Sequence, residues 1–155
     1  MRSPSRLAAV LYGASVLVVV ADRVTKILAE HRLAGRPPVT VIPHVVDLTY
    51  ATNSGGAFSL FPGQPWIFFS ASAIVCLVIV VSSWRMTSLA TALGLGLVLG
   101  GALGNLTDRV IRGPGISGHV VDFIDFHVWP VFNLADSAIV IGVFVIVLAG
   151  FRRKA

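Results

Sequence analysis

Charged residues are scarce in this chain: Asp, Glu, Lys and Arg make up 12% of its 155 residues, while 55% are hydrophobic. A soluble domain carries about 25% charged residues, so an ordinary water-facing surface is excluded. With a mean hydropathy of +0.87, the composition predicts an integral membrane protein, one domain over residues 1–155. Cysteine is represented by Cys76 alone, inside an apolar run. No intramolecular disulfide can form, and the side chain reads as a small buried hydrophobe rather than a catalytic thiol. Seven acidic residues stand against twelve basic ones, giving +5. That excess is no argument for nucleic acid. Arg2, Arg6, Arg85, Arg152, Arg153 and Lys154 sit in the tails and at one short turn, where membrane proteins keep their basic residues. There is no long internal repeat, no low-complexity tract and no His-Glu-x-x-His motif.

What is there alternates between apolar runs and short polar pieces. Residues 7–28 form a first span, which continues through Asp22-Arg-Val-Thr-Lys without a clear cleavage site and so reads as retained rather than as a signal peptide. Asp22 and Lys26 are four apart and share a helix face. Between residues 33 and 65 prolines and glycines appear, and Val39-Thr-Val-Ile and Val45-Val-Asp-Leu-Thr-Tyr-Ala read as two small strands. The turn Asn53-Ser-Gly-Gly follows. Residues 66–83 make a second span with Trp66 and Trp84 as interfacial anchors, and Arg85 marks a tight turn. The third span, 89–106, carries Gly96, Gly100 and Gly104 at the spacing that lets helices approach closely in lipid. At its end Asn105, Asp108 and Arg109 project from one face, and residues 111–118 read as a loop. Residues 132–151 form the fourth span, long enough to cross a bilayer core of about 30 Å. The fold class expected is an all-α membrane protein of four transmembrane helices, with a small β-containing extramembrane segment after the first.

Four spans place both termini on one side and the loops after spans one and three together on the other. Basic residues divide evenly between the two sides. Local pairing of Asp22 with Lys26 and of Asp108 with Arg109 would discount the second group, which favours cytoplasmic termini. Asp22, Asn53, Asn105, Asp108, Arg109, Asp122, Asn133 and Asp136 then gather at the external face. Three of the seven acids, Asp122, Asp125 and Asp136, fall within residues 118–138. A carboxylate entering the hydrocarbon region costs roughly 2.5–3.5 kcal/mol on insertion scales, so its presence needs a reason. Two carboxylates brought together there can share a proton and activate a water. Asp136 opens a helix, whose dipole favours its charged form, which makes it the expected base and Asp122 the acid. Asn133, about one turn earlier, would orient Asp136, while Asp125 reads as a solvated or loop-bonded residue. The order His119-x-x-Asp122-x-x-Asp125-x-His127 invites a metal reading, but the segment is apolar and loop-like, and no metal is expected. A proton channel would hold its carboxylates near mid-bilayer, and an assembly protein would not need these acids and asparagines together.

These residues carry a resemblance. Asp22-Arg-Val-Thr-Lys, Asn53-Ser-Gly-Gly-Ala-Phe-Ser, Gly100-Gly-Ala-Leu-Gly-Asn-Leu-Thr-Asp-Arg, Val120-Val-Asp-Phe-Ile and Phe132-Asn-Leu-Ala-Asp-Ser-Ala-Ile occur in the order found in the lipoprotein signal peptidases. The chain resembles that family, signal peptidase II, over almost its whole length. The resemblance implies an aspartic endopeptidase that removes the signal peptide from diacylglyceryl-modified bacterial prolipoproteins, cutting before the lipidated cysteine. It implies a catalytic dyad at Asp122 and Asp136, with Asp22, Lys26, Asn53, Asn105, Asp108, Arg109 and Asn133 as supporting or substrate-binding residues. The expected setting is the bacterial cytoplasmic membrane, with prolipoprotein and membrane lipids as partners, no nucleic acid, no cofactor and a monomeric state. Gly56 stands where the family more often has alanine, and the 110–119 loop is longer than in many members.

Overall fold

A computed structural model describes residues 4–55 and 64–151; Gly56 and the basic residues of both tails, apart from Arg6, lie outside them. The chain runs α1 (Pro4–Leu33), β1 (Val39–Ile42), β2 (Val46–Asn53), α2 (Pro65–Ser82), a short 3-10 turn (Ser83–Arg85), α3 (Leu89–Ile111), β3 (Val120–Asp125) and α4 (Leu134–Phe151). All four α-helices are long and apolar enough to cross a membrane.

Helix α3 is the centre of the bundle and packs against the other three. Half of its most apolar stretch is buried, against 22% or less for each neighbour, whose outer faces are left for lipid. Its glycines make this possible. A Cβ on Gly100 would stand 2.6 Å from Val18 Cβ and 2.7 Å from the Ser15 carbonyl oxygen of α1, and one on Gly101 would meet the Ala135 carbonyl of α4. Adjacent glycines on one helix thus let two different helices come to backbone contact, which is how association is gained where lipid is as apolar as the side chains. At the far end Leu7, Leu11, Ile79, Met86, Ala92, Val98 and Leu99 form the core, with half-buried Cys76 packed against it as a plain hydrophobe.

The helices are longer than the apolar runs suggest. Helix α1 continues to Leu33 and α3 to Ile111, five residues past the expected end; ion pairs of Lys26 and Arg23 with Asp108 and of Glu30 with Arg112 join the two helix ends. The sheet has three strands, not two. Val120–Asp125, read from sequence as loop, adds β3 antiparallel to β2, giving the order β1-β2-β3. Leu48 pairs with Ile124 and Ala51 with Asp122, so Thr49 and Tyr50 bulge opposite Phe123. Below the sheet Phe123 packs with Ala29 and Leu33 at the end of α1. The sheet therefore rests on one helix end and holds Asp122 over the ends of the others.

Candidate active site

The site is assembled where α1, α3, β2, β3 and α4 meet, and α4 supplies its pivot. Asn133 is the residue before α4: its Oδ1 accepts from Asp136 N at 2.9 Å, and Asp136 Oδ2 accepts from Asn133 N at 3.3 Å. This reciprocal arrangement is a capping box, in which two otherwise unpaired donors of a helix start are satisfied. It fixes the Asp136 carboxylate at the first turn. The same asparagine donates its side-chain amide to Asp122 Oδ1 at 2.7 Å and to Asn105 Oδ1 at 3.2 Å. One fully buried residue thus touches both aspartates.

Each carboxylate has a further amide partner. Asn53, at the end of β2, donates to Asp122 Oδ2 at 3.1 Å, and Asn105 of α3 donates to Asp136 Oδ1 at 2.8 Å. Asn53 and Asp122 fall on one face of the sheet because Ala51 pairs with Asp122 and Asn53 with Val120. Asp122 is buried to 3% exposure. Burial, followed by the nearby Asp136 carboxylate, pushes its pKa from 3.8 up to about 7, against the pull of the Asn53 and Asn133 amides.

Behind the aspartates lies a buried ionic layer. Lys26, with no exposed surface, reaches Asp22 Oδ2 at 2.8 Å, Asp108 Oδ2 at 3.0 Å and Asn105 Oδ1 at 3.0 Å. Asp22 Oδ1 accepts from Ala135 N of α4 at 3.0 Å, and Asp108 Oδ2 from Val121 N of β3 at 3.2 Å. The layer therefore ties α1 and α3 to the two elements that carry Asp122 and Asp136.

All nine residues singled out from the sequence meet in this region, in two tiers. Asn53, Asn105, Arg109, Asp122 and Asp136 line a cavity of about 330 Å³, with Trp129 on its wall. Asp22, Lys26, Asp108 and Asn133 stand behind them. The pairing of Asp22 with Lys26 holds, but that of Asp108 with Arg109 does not: consecutive helix residues do not face each other. Asp108 instead takes Lys26, Arg23 at 3.2 Å and Arg112 at 3.0 Å. Arg109 donates to the Gly55 carbonyl at 2.8 Å and the Gly118 carbonyl at 3.4 Å, with Phe68 under its guanidinium. Arg112, which also reaches Glu30 at 2.9 Å, has one legible sequence signal, its four-residue spacing from Asp108. Asp125 faces away and accepts from His127 N at 2.7 Å. Among the described residues no three His, Cys, Asp or Glu side chains converge as a metal site.

The chain is similar in sequence and fold to known proteins. The family model described as signal peptidase (SPase) II matches residues 14–152. A lipoprotein signal peptidase of Mycobacterium tuberculosis (strain ATCC 25618 / H37Rv) is 42% identical over 147 residues, covering 94% of this chain and 73% of that protein. One from Syntrophomonas wolfei is 43% identical over 147 residues, covering 92% and 95%. A bacterial membrane enzyme solved in meso at 2.3 Å superposes with a TM-score of 0.80 at 32% identity, covering 92% of this chain and 87% of that one. A second, at 1.9 Å, gives 0.75 at 34% identity, with 88% of each covered.

Proposed function

The chain belongs to the signal peptidase II family, and on that basis we propose that it is an aspartic endopeptidase whose dyad is Asp122 and Asp136. It is a multi-pass membrane peptidase that removes signal peptides from prolipoproteins. The observation that carries the aspartic reading is the bridging of both carboxylates by Asn133, with Asp122 pushed up to about 7. A carboxyl that keeps its proton near neutrality is the acid such chemistry requires, and a carboxylate at a helix start is the base. The water between them loses a proton to Asp136 as its oxygen attacks the scissile carbonyl. Asp122 gives its proton to the carbonyl oxygen. The tetrahedral intermediate then collapses with cleavage of the C–N bond: Asp136 gives its proton to the departing amine, and a hydroxyl of the intermediate returns a proton to Asp122.

Asn53 and Asn105 hold the outer oxygens of the pair, while Lys26, Asp22 and Asp108 fix the helices that carry them. Arg109 braces Gly55, which lines the cavity, and Gly118, two residues before the lining residue Val120. The substrate is a diacylglyceryl-modified prolipoprotein, cut before the lipidated cysteine. Each buried methylene contributes about 0.8 kcal/mol, so two acyl chains keep the peptide in the leaflet where the carboxylates lie. The protein acts as a monomer in the bacterial cytoplasmic membrane, with its termini in the cytoplasm and the dyad at the external face. The test is purified protein given matched lipobox peptides with and without diacylglycerol, each with and without chelator. Cleavage of the lipidated peptide alone, indifferent to chelator, is expected. Chelator-sensitive cleavage of both peptides would contradict the proposal.

A further inference from the structure

The loop that walls the cavity is held by a histidine outside the dyad network. Asp47 of β2 and Asp125 of β3 are direct cross-strand partners, and like charges so placed destabilise a strand pair. His127 lies between them, with Nε2 at 3.2 Å from Asp47 Oδ2 and Nδ1 at 3.6 Å from Asp125 Oδ2. One imidazole thus stands between the two acids and in reach of both strands. The backbone is drawn in as well. His127 N donates to Asp125 Oδ1 at 2.7 Å, and His127 sits at φ 61°, a left-handed conformation that costs a non-glycine residue energy. Such a conformation persists where its surroundings hold it.

The segment held in this way reaches the site. Phe132 returns to pair with Ile124, closing the intervening residues into one loop, and the Phe126 and Phe132 rings stack at 5.6 Å. Trp129, two residues past His127, lines the cavity containing Asp122 and Asp136. It also lines an adjoining, mostly apolar cavity of about 430 Å³ beside α4. Asp136 borders both. Trp129 is thus part of the wall between the dyad and the apolar space next to it.

We propose that His127 is a positioning residue for peptide cleavage: by bridging Asp47 and Asp125 it holds the 126–131 loop, and with it Trp129, where the lipidated substrate is bound. This rests on the reading of Asp122 and Asp136 as the cleavage site. The clasp touches neither carboxylate, so its loss is felt in substrate affinity rather than in the chemical step.

The test uses the full chain in detergent with the lipidated lipobox peptide. His127→Asn suits the left-handed backbone and removes the imidazole, while Asp47→Asn leaves His127 intact and removes one arm. In each variant KM should rise about three- to fivefold with kcat within about twofold of wild type, the scale of a partly exposed side-chain contact of up to about 1 kcal/mol. Amide hydrogen exchange of residues 126–131, measured without substrate at one pH, should quicken in both variants while α4 is unchanged. Unchanged KM in both variants, a fall in kcat at constant KM, or unaltered exchange of the loop would overturn the proposal. Should the wild type fail to cut the lipidated peptide, the cleavage reading fails, and the exchange comparison still decides whether the clasp exists.

Discussion

Replacing Lys26 with methionine keeps the length of the side chain and removes the charge at the middle of the buried ionic layer. Lys26 is completely enclosed and holds Asp22 at 2.8 Å and Asp108 at 3.0 Å. Asp108 retains Arg23 and Arg112 after the change, but among the described residues Asp22 keeps only the Ala135 amide. Breaking a buried ion pair by removing one partner costs about 3–5 kcal/mol, because the remaining charge is left without compensation. At about 2–4 °C per kcal/mol for a chain of this size, the loss in melting temperature is roughly 6–20 °C. Thermal unfolding in detergent, followed by circular dichroism, measures it. The double variant Lys26→Met/Asp22→Asn removes the stranded charge and should recover several degrees of the loss. Its activity should stay low, because the Asn105 oxygen has also lost its ammonium partner. A melting temperature within about 2 °C of wild type for Lys26→Met, less than the shift of one kcal/mol, would refute the ionic layer as the bond between α1 and α3.

Asp122 supplies a pH prediction with a definite sign. Its folded pKa of about 7 lies above the ordinary 3.8, so its contribution to stability is complete below about 4 and is lost as pH rises through about 7. Asp122→Asn should therefore melt higher than wild type at pH 8 while cleaving nothing, and wild-type kcat should fall as pH rises through about 7. Asn133→Ala removes the capping box and the amide that joins the dyad, and should lower kcat at least about a hundredfold, the scale of a lost preorganising donor; kcat within a factor of a few of wild type would contradict that role. Gly101→Leu would drive a side chain into the Ala135 carbonyl, displacing the α4 start, so it should lower both melting temperature and kcat in the same assays. A reporter fused at Gly115 should read as external and one at Thr87 as cytoplasmic; the reverse pair would invert the topology.

The helices are legible in the sequence because a membrane span is a local property: about twenty apolar residues suffice. The Asp22–Lys26 pair is legible for the same reason, since i and i+4 meet on any helix. Strand β3 is not. Val120–Asp125 becomes a strand by pairing with β2, about seventy residues earlier, and its own pattern mixes buried positions on both faces. Two partners of Asp108 are similarly hidden, because Arg23 and Lys26 come from another helix, whereas Arg112 lies four residues on along the same helix. Asn133-Leu-Ala-Asp136 could have been read as a capping box from its spacing alone. What no spacing reveals is that the capping asparagine also reaches Asp122.

The central claim is that Asp122 and Asp136 act as one unit on one water, and the direct measurement is the cleavage rate of the lipidated peptide by both single Asn variants and by the double variant. Residues that act together are grossly non-additive. Each single variant should fall to about the rate of the double variant, with peptide binding and membrane insertion preserved. Either single variant cleaving at more than about a tenth of the wild-type rate, a loss under 1.4 kcal/mol, would contradict the dyad.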